Sequence, residues 1–137
     1  MDTSDNSGPL APAHASFTID TWDSDDLLEA GGRTFSRATV TKTFTGDIEG
    51  TSVAWLVLSM TGTDGAEYVG LETFDVAIHG RAGRFVLLHQ AANSPDLVRW
   101  TIAPGSGTDK LEGLAGSMTI EVADDGTHTC TLQPAVT

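Results

Sequence analysis

Tyr68-Val69-Gly70-Leu71-Glu72-Thr73-Phe74-Asp75-Val76-Ala77-Ile78 is the stretch that decides the fold. Side chains of an extended chain alternate between its faces, so Tyr68, Gly70, Glu72 and Phe74 share one side of the strand and Val69, Leu71 and Thr73 the other. The extended run reaches from Glu67 to Ile78. A glycine in the middle of so long a strand points to a bend or bulge, which is how a sheet curves into a barrel wall. Gly70 leaves room beside Glu72 and Phe74, so this face is taken as inward.

Working outward, the chain reads as a succession of strands and short turns. Ala15, Phe17 and Ile19 alternate with Ser16, Thr18 and Asp20, and the acidic Asp23-Ser24-Asp25-Asp26 segment is expected to end that strand. Leu27 to Glu29, ahead of Gly31-Gly32, fits a hairpin connection better than a single helical turn. Thr34 to Phe44 is dense in Cβ-branched residues suited to a pleated surface, and Thr45 to Gly50 reads as a turn. Ser52 to Met60 is almost continuously apolar, as in a strand covered on both faces. Gly62 to Gly65 turns the chain into the Glu67 to Ile78 strand, and His79 to Gly83 turns it again. Further strands are expected at Arg84 to Ala91, Leu97 to Ile102, Ser117 to Ala123 and, after the Asp124-Asp125-Gly126 hairpin signal, Thr127 to Gln133.

No segment sustains a helical period for three turns. The expectation is an all-β fold: an eight-stranded antiparallel closed barrel with little or no helix. Closure removes exposed edges, and about eight strands leave an interior that side chains fill or that holds one small ligand. Residues 1–12 read as a flexible N-terminal arm and 13–137 as one barrel domain.

Composition narrows the function. The chain has 137 residues, 19 acidic and 7 basic, for a formal charge of −12. That balance repels phosphates and anionic membrane surfaces, so neither nucleic acid nor membrane is expected as a partner. The longest unbroken apolar run, Val53 to Leu58, is far short of the roughly 20 residues of a membrane span, and no signal segment opens the chain, so a soluble cytoplasmic protein is expected. One cysteine and four histidines form no zinc pattern, and Asp23, Asp25 and Asp26 match no calcium loop; neither metal nor cofactor is expected. Gly105-Ser106-Gly107-Thr108 lacks the lysine and following helix of a phosphate loop, and Ser106 is not in a nucleophile elbow.

Several blocks together resemble a known family. They are Gly46-Asp47-Ile48-Glu49-Gly50, Tyr68 to Phe74, Gly80-Arg81-Ala82-Gly83-Arg84-Phe85-Val86-Leu87-Leu88-His89, Trp100, Pro104 to Thr108, and Leu111-Glu112-Gly113-Leu114-Ala115-Gly116. In that order, over residues 13 to 123, they resemble a bacterial domain family of unknown function with the allene oxide cyclase-like β-barrel fold. The resemblance implies that Glu72 faces the lumen. It also offers an analogy: barrels of this kind guide reactive lipid-like or polyketide-like molecules into rings without a cofactor.

The candidate catalytic pair is Glu72 and His89. Phe85, Leu87 and His89 share one face of the next strand, so if that face is also inward the carboxylate and imidazole can meet. Burial favours the neutral carboxyl and a nearby imidazolium the ionised one, and either suits proton transfer near neutrality. The alternative is that the two only fix strand register, since buried polar groups are paired in any barrel. Trp55, Tyr68, Phe74, Phe85, Leu87 and Trp100 are the candidate substrate-binding residues, forming an apolar wall with polar handles. Trp22 stands at a strand end, as a cover for the mouth or a subunit contact. His14, His79 and His128 are expected to meet solvent, and Cys130 to be a small core residue.

The leading expectation is a cofactor-independent cyclase or isomerase for a hydrophobic, polyketide-like or lipid-like intermediate of natural-product biosynthesis. The alternative is a non-catalytic barrel that carries or sequesters a hydrophobic small molecule. A third possibility is an interaction protein that uses its outer barrel face to form a homodimer.

Overall fold

The computed structural model describes residues 8–62, 64–92 and 95–135. Its strands are β1 (Ala13–Ala30), β2 (Arg33–Gly46), β3 (Ile48–Thr61), β4 (Asp64–Ile78), β5 (Arg81–Ala91), β6 (Arg99–Ile102), β7 (Gly116–Val122) and β8 (His128–Pro134). Each pairs antiparallel with the next, and Ala13 to Phe17 of β1 pair with His128 to Leu132 of β8, closing the barrel. Two single-turn 3-10 elements, Pro95–Leu97 and Asp109–Leu111, are the only helical pieces among the described residues.

The strands are unequal, and this shapes the lumen. β1 to β4 are long, whereas β6 to β8 are short, so one wall stands taller than the other. β1 does not end at the acidic segment. It stays paired with β2 to the hairpin tip at Gly31-Gly32, both in the positive-φ conformation (60° and 77°) that a two-residue hairpin turn of matching twist requires. The acidic side chains do not interrupt it because they are all exposed. Beyond Phe17 the other edge of β1 has no partner in β8, and charges along an exposed edge discourage pairing with a second chain.

Pairing of β1 with β2 shifts register at Asp20 and again at Leu27. The first bulge has a consequence for the interior. Phe17 opposes Phe44 and Ile19 opposes Lys42, both inward; strict alternation would then turn Trp22 outward, but the extra residue Asp20 brings Trp22 opposite the inward Val40. Thr18 Oγ1 and Thr43 Oγ1 donate to the Asp20 carboxylate (2.7 and 2.5 Å), which hold its carboxyl below the ordinary value and tie the bulge to both strands.

Other differences from the sequence reading are local. β2 and β3 nearly abut, separated by Asp47 alone, because Asp47 N donates to His14 O and its carboxylate accepts from His14 N. The turn expected over His79 to Gly83 is only His79-Gly80 (φ 49° and 81°), and the sixth strand begins at Arg99, after a 3-10 turn. Of the expected loose arm, Gly8 and Pro12 are tied down by Arg81 and His79, which donate to their carbonyls, and Leu10 packs on the core; residues 1–7 lie outside the described set, as does Thr63 of the predicted Gly62 turn.

β3 is not covered on both faces. Ser52, Ala54 and Leu56 point in, while Trp55 (52% exposed) and Val57 point out with Val69 and Leu71 of β4 and Leu88 of β5 into an uncovered apolar stripe. A single-layer barrel has nothing behind its wall, so an apolar run there need not mean two buried faces.

Inside, the lower half of the barrel is a plug. Phe17, Phe44, Phe74 and Phe85 form a continuous aromatic chain with ring centroids 5.1, 5.2 and 4.4 Å apart, packed among Ile48, Ile78 and Leu132. A second, smaller cluster of Ala38, Val40, Ala54 and Leu56 lies on the tall wall. Gly70 stands opposite Leu56 and His89 in the β4 register, and a Cβ there would collide with the Trp55 carbonyl oxygen and the Leu56 side chain. Gly70→Ala is therefore expected to cost about 1–3 kcal/mol, read as a lower urea midpoint at unchanged slope.

Candidate functional site

Glu72 lies where the plug gives way to the open half of the lumen. Its neighbours in register are Ala54 on β3 and Leu87 on β5, neither with a polar side chain, so its hydrogen bonds come from residues set diagonally. Ser52 Oγ donates to Oε2 at 2.5 Å, His89 Nε2 lies 2.7 Å from Oε1, and Lys42 Nζ donates to Oε1 at 3.3 Å. Lys42 and Ser52 are themselves paired across β2 and β3. Glu72 has no exposed surface, and no buried side-chain polar atom among the described residues lacks a partner.

Burial is the largest single influence on Glu72 and would raise its pKa. The His89 hydrogen bond, the Lys42 charge, the Ser52 hydrogen bond and the His89 charge together outweigh it and hold the carboxyl below its ordinary value of 4.5. The group is thus a carboxylate, an acceptor only, which puts the hydrogen of the facing His89 nitrogen on Nε2. The chain continues from the other ring nitrogen: His89 Nδ1 is 3.1 Å from Tyr68 Oη, and Trp100 Nε1 donates to that oxygen at 3.1 Å. In the neutral ring, Tyr68 donates to Nδ1. Burial, with the Glu72 charge adding to it and the Trp100 hydrogen bond opposing, pushes the phenol up, so Tyr68 keeps its proton.

Above this polar floor is a cavity of about 230 Å³. Lys42, Tyr68, His89 and Trp100 form its base, while Ile19, Val40, Leu56 and Leu58 rise along the tall wall. Half-exposed Trp22 stands at the rim, and Ile120 of β7 and His128 of β8 also line the cavity. Lys42 Nζ also sits 4.9 Å from the Phe17 ring centroid, a cation over an aromatic face. Among the described residues no three His, Cys, Asp or Glu side chains converge as a metal site.

Residues 13–133 match the family model of DUF3224, described as a protein of unknown function. The chain belongs to this family. The DUF3224 chain is similar to a crystal structure of a protein of unknown function from the same family of Shewanella oneidensis MR-1, with a TM-score of 0.76 and 26% identity over 94% of this chain and 99% of that one. No curated protein matches.

The barrel brings together the two candidate catalytic residues, but at unequal depth: His89 reaches the cavity, and Glu72 lies beneath it, hydrogen-bonded to His89 and Lys42. Of the predicted lining, Tyr68 and Trp100 border the cavity. Phe74, Phe85 and Leu87 point inward but are consumed by the plug. Trp55 is corrected to the outer surface, because on β3 it alternates with the inward Ala54 and Leu56. His128 is likewise corrected: half-buried, it packs 5.2 Å from Phe17 and lines the cavity, whereas His14 and His79 are exposed. Cys130 is buried, and burial, then the Glu72 charge, push its thiol up to about 12, so it is no nucleophile.

Sequence reasoning missed Lys42 and Ser52. The signal for Lys42 was present: on β2 the inward series Ala38, Val40, Phe44 is broken by a single lysine, one of two in the chain. Lys42→Met is expected to cost about 3–5 kcal/mol by removing the lysine counter-ion of the buried Glu72 carboxylate, and most of that returns in the double variant with Glu72→Gln, measured by urea denaturation. A carboxyl held low in the folded state contributes stability that is fully present above 4.5 and disappears as pH falls through the folded value. Melting temperatures between pH 7 and pH 3 should therefore fall more steeply for the native chain than for Glu72→Gln.

Proposed function

We propose that this barrel binds a small, largely apolar molecule above the Glu72 layer and moves a proton on it, as a cofactor-independent isomerase or cyclase. The allene oxide cyclase-like resemblance of the sequence accords with this, and the proposal includes a cytoplasmic place in natural-product chemistry. The observation that carries the reading is the Glu72–His89–Tyr68 chain ending at the cavity. Tyr68 Oη gives its hydrogen to His89, accepts one from Trp100, and keeps one lone pair for a guest.

The chemistry follows from that arrangement. Tyr68 Oη takes a proton from a carbon beside a carbonyl as its own hydroxyl proton passes to His89 Nδ1. Glu72, already paired with Nε2–H, stabilises the imidazolium that forms. Reversal of the relay at another carbon, or on oxygen, completes an isomerisation or ring closure with no net change in protons. Apolar walls exclude water and hold the guest in one orientation, the larger part of catalysis when a single polar group does the work.

A second reading, a carrier or sequestering barrel, is favoured by one specific feature: both His89 nitrogens are engaged and Glu72 is covered, so no base is free in the resting arrangement. Proton transfer separates the two. With 4-phenylbutan-2-one in heavy water, the native protein is expected to speed deuterium exchange beside the carbonyl, followed by NMR. Tyr68→Phe and His89→Ala should lower that rate by about 10²-fold or more while binding persists. Binding with no acceleration leaves the carrier reading; no binding removes both.

A further inference from the structure

Lys42 is the one formally charged side chain on the cavity wall among the described residues, and its ammonium group has three hydrogens. One is given to Glu72 Oε1 at 3.3 Å, and the ring of Phe17, which also lines the cavity, faces the group at 4.9 Å. No second acceptor for Lys42 occurs among the described residues. Tyr68 and Trp100, the neighbouring polar groups, spend their hydrogens on His89 and on Tyr68 respectively. The floor therefore offers a guest a hydrogen-bond donor at Lys42, and the rest of the wall is mainly aliphatic and aromatic.

Charge decides which acceptor fits. The Lys42 charge is already balanced by the ionised Glu72 beside it. A carboxylate arriving there would leave one uncompensated negative charge at a buried layer, in a chain that already carries −12. A ketone, aldehyde or ester oxygen takes the same hydrogen bond and leaves the layer neutral. Size narrows the guest further: a dry apolar cavity of about 150 Å³ takes benzene, so 230 Å³ suits about ten non-hydrogen atoms.

We infer that the lumen selects a neutral carbonyl compound with a compact apolar body, its oxygen on Lys42 Nζ, over both the matching hydrocarbon and the matching acid. This rests on the lumen being a binding site, as proposed above, and adds which oxygen chemistry the site takes.

The test uses three probes of nearly equal shape, 4-phenylbutan-2-one, butylbenzene and 3-phenylpropanoate, titrated at pH 7.5. The ketone is expected to bind about tenfold tighter than either of the others, and its carbonyl stretch, read by isotope-edited infrared spectroscopy, to shift to lower frequency on binding. Lys42→Met paired with Glu72→Gln keeps the layer neutral and should abolish both the ketone's advantage over butylbenzene and the infrared shift. Equal binding of ketone and hydrocarbon, or tightest binding of the carboxylate, would overturn the inference while leaving the lumen as a site. Failure of all three probes to bind would overturn the lumen reading itself.

Discussion

A carboxylate with no exposed surface, buried in the middle of a barrel, organises this molecule. Glu72 can stay ionised there only because Lys42, Ser52 and His89 reach it from β2, β3 and β5. A buried charge without such partners would cost several kcal/mol. The requirement couples four strands at one level of the lumen, and it sets a floor. Below that floor, four phenylalanines pack ring against ring and exclude any guest. Above it, the side chains are smaller, with Ala38, Val40 and Ala54 where the plug has phenylalanines, and space remains.

The open half depends equally on an irregularity. The bulge at Asp20 turns Trp22 inward to the rim, so β1 presents Phe17, Ile19 and Trp22 to the lumen in succession. A strand of even alternation would have put an indole into solvent and a threonine over the cavity. The unequal strand lengths add to this, since the tall wall of β1 to β4 continues above the polar layer while β8 stops near His128. Architecture and site are thus one feature, a barrel plugged at one end and left open at the other with its ionised group at the boundary.

Much of this was legible in residue order. Alternation correctly grouped Tyr68, Gly70, Glu72 and Phe74 on one face and Phe85, Leu87 and His89 on another. Gly70 marked the first as inward, the direction of the second was left conditional, and the structure turns both inward so that the carboxylate and the imidazole meet. Alternation was uninformative where both faces of a strand were apolar. On β3 it could not tell Trp55 from its neighbours, because an outward stripe of Trp55, Val57, Val69 and Leu71 looks in sequence like a second buried face. It was also blind to depth: Phe74 and Phe85 face inward as expected but lie in the plug, and direction alone does not say how far along the axis a side chain sits.

Sequence by itself determined the strand order, the closure and which residues of β4 and β5 share a face, because a period of two and turn chemistry are local properties that each segment carries alone. Tertiary structure alone decided that Lys42, 30 residues from Glu72, is its counter-ion, that Ser52 completes the set, and that His128 and Trp22 border the cavity. Those relations are set by stagger between strands and by a one-residue bulge. Both are properties of how strands pair around the ring, and no single strand contains them.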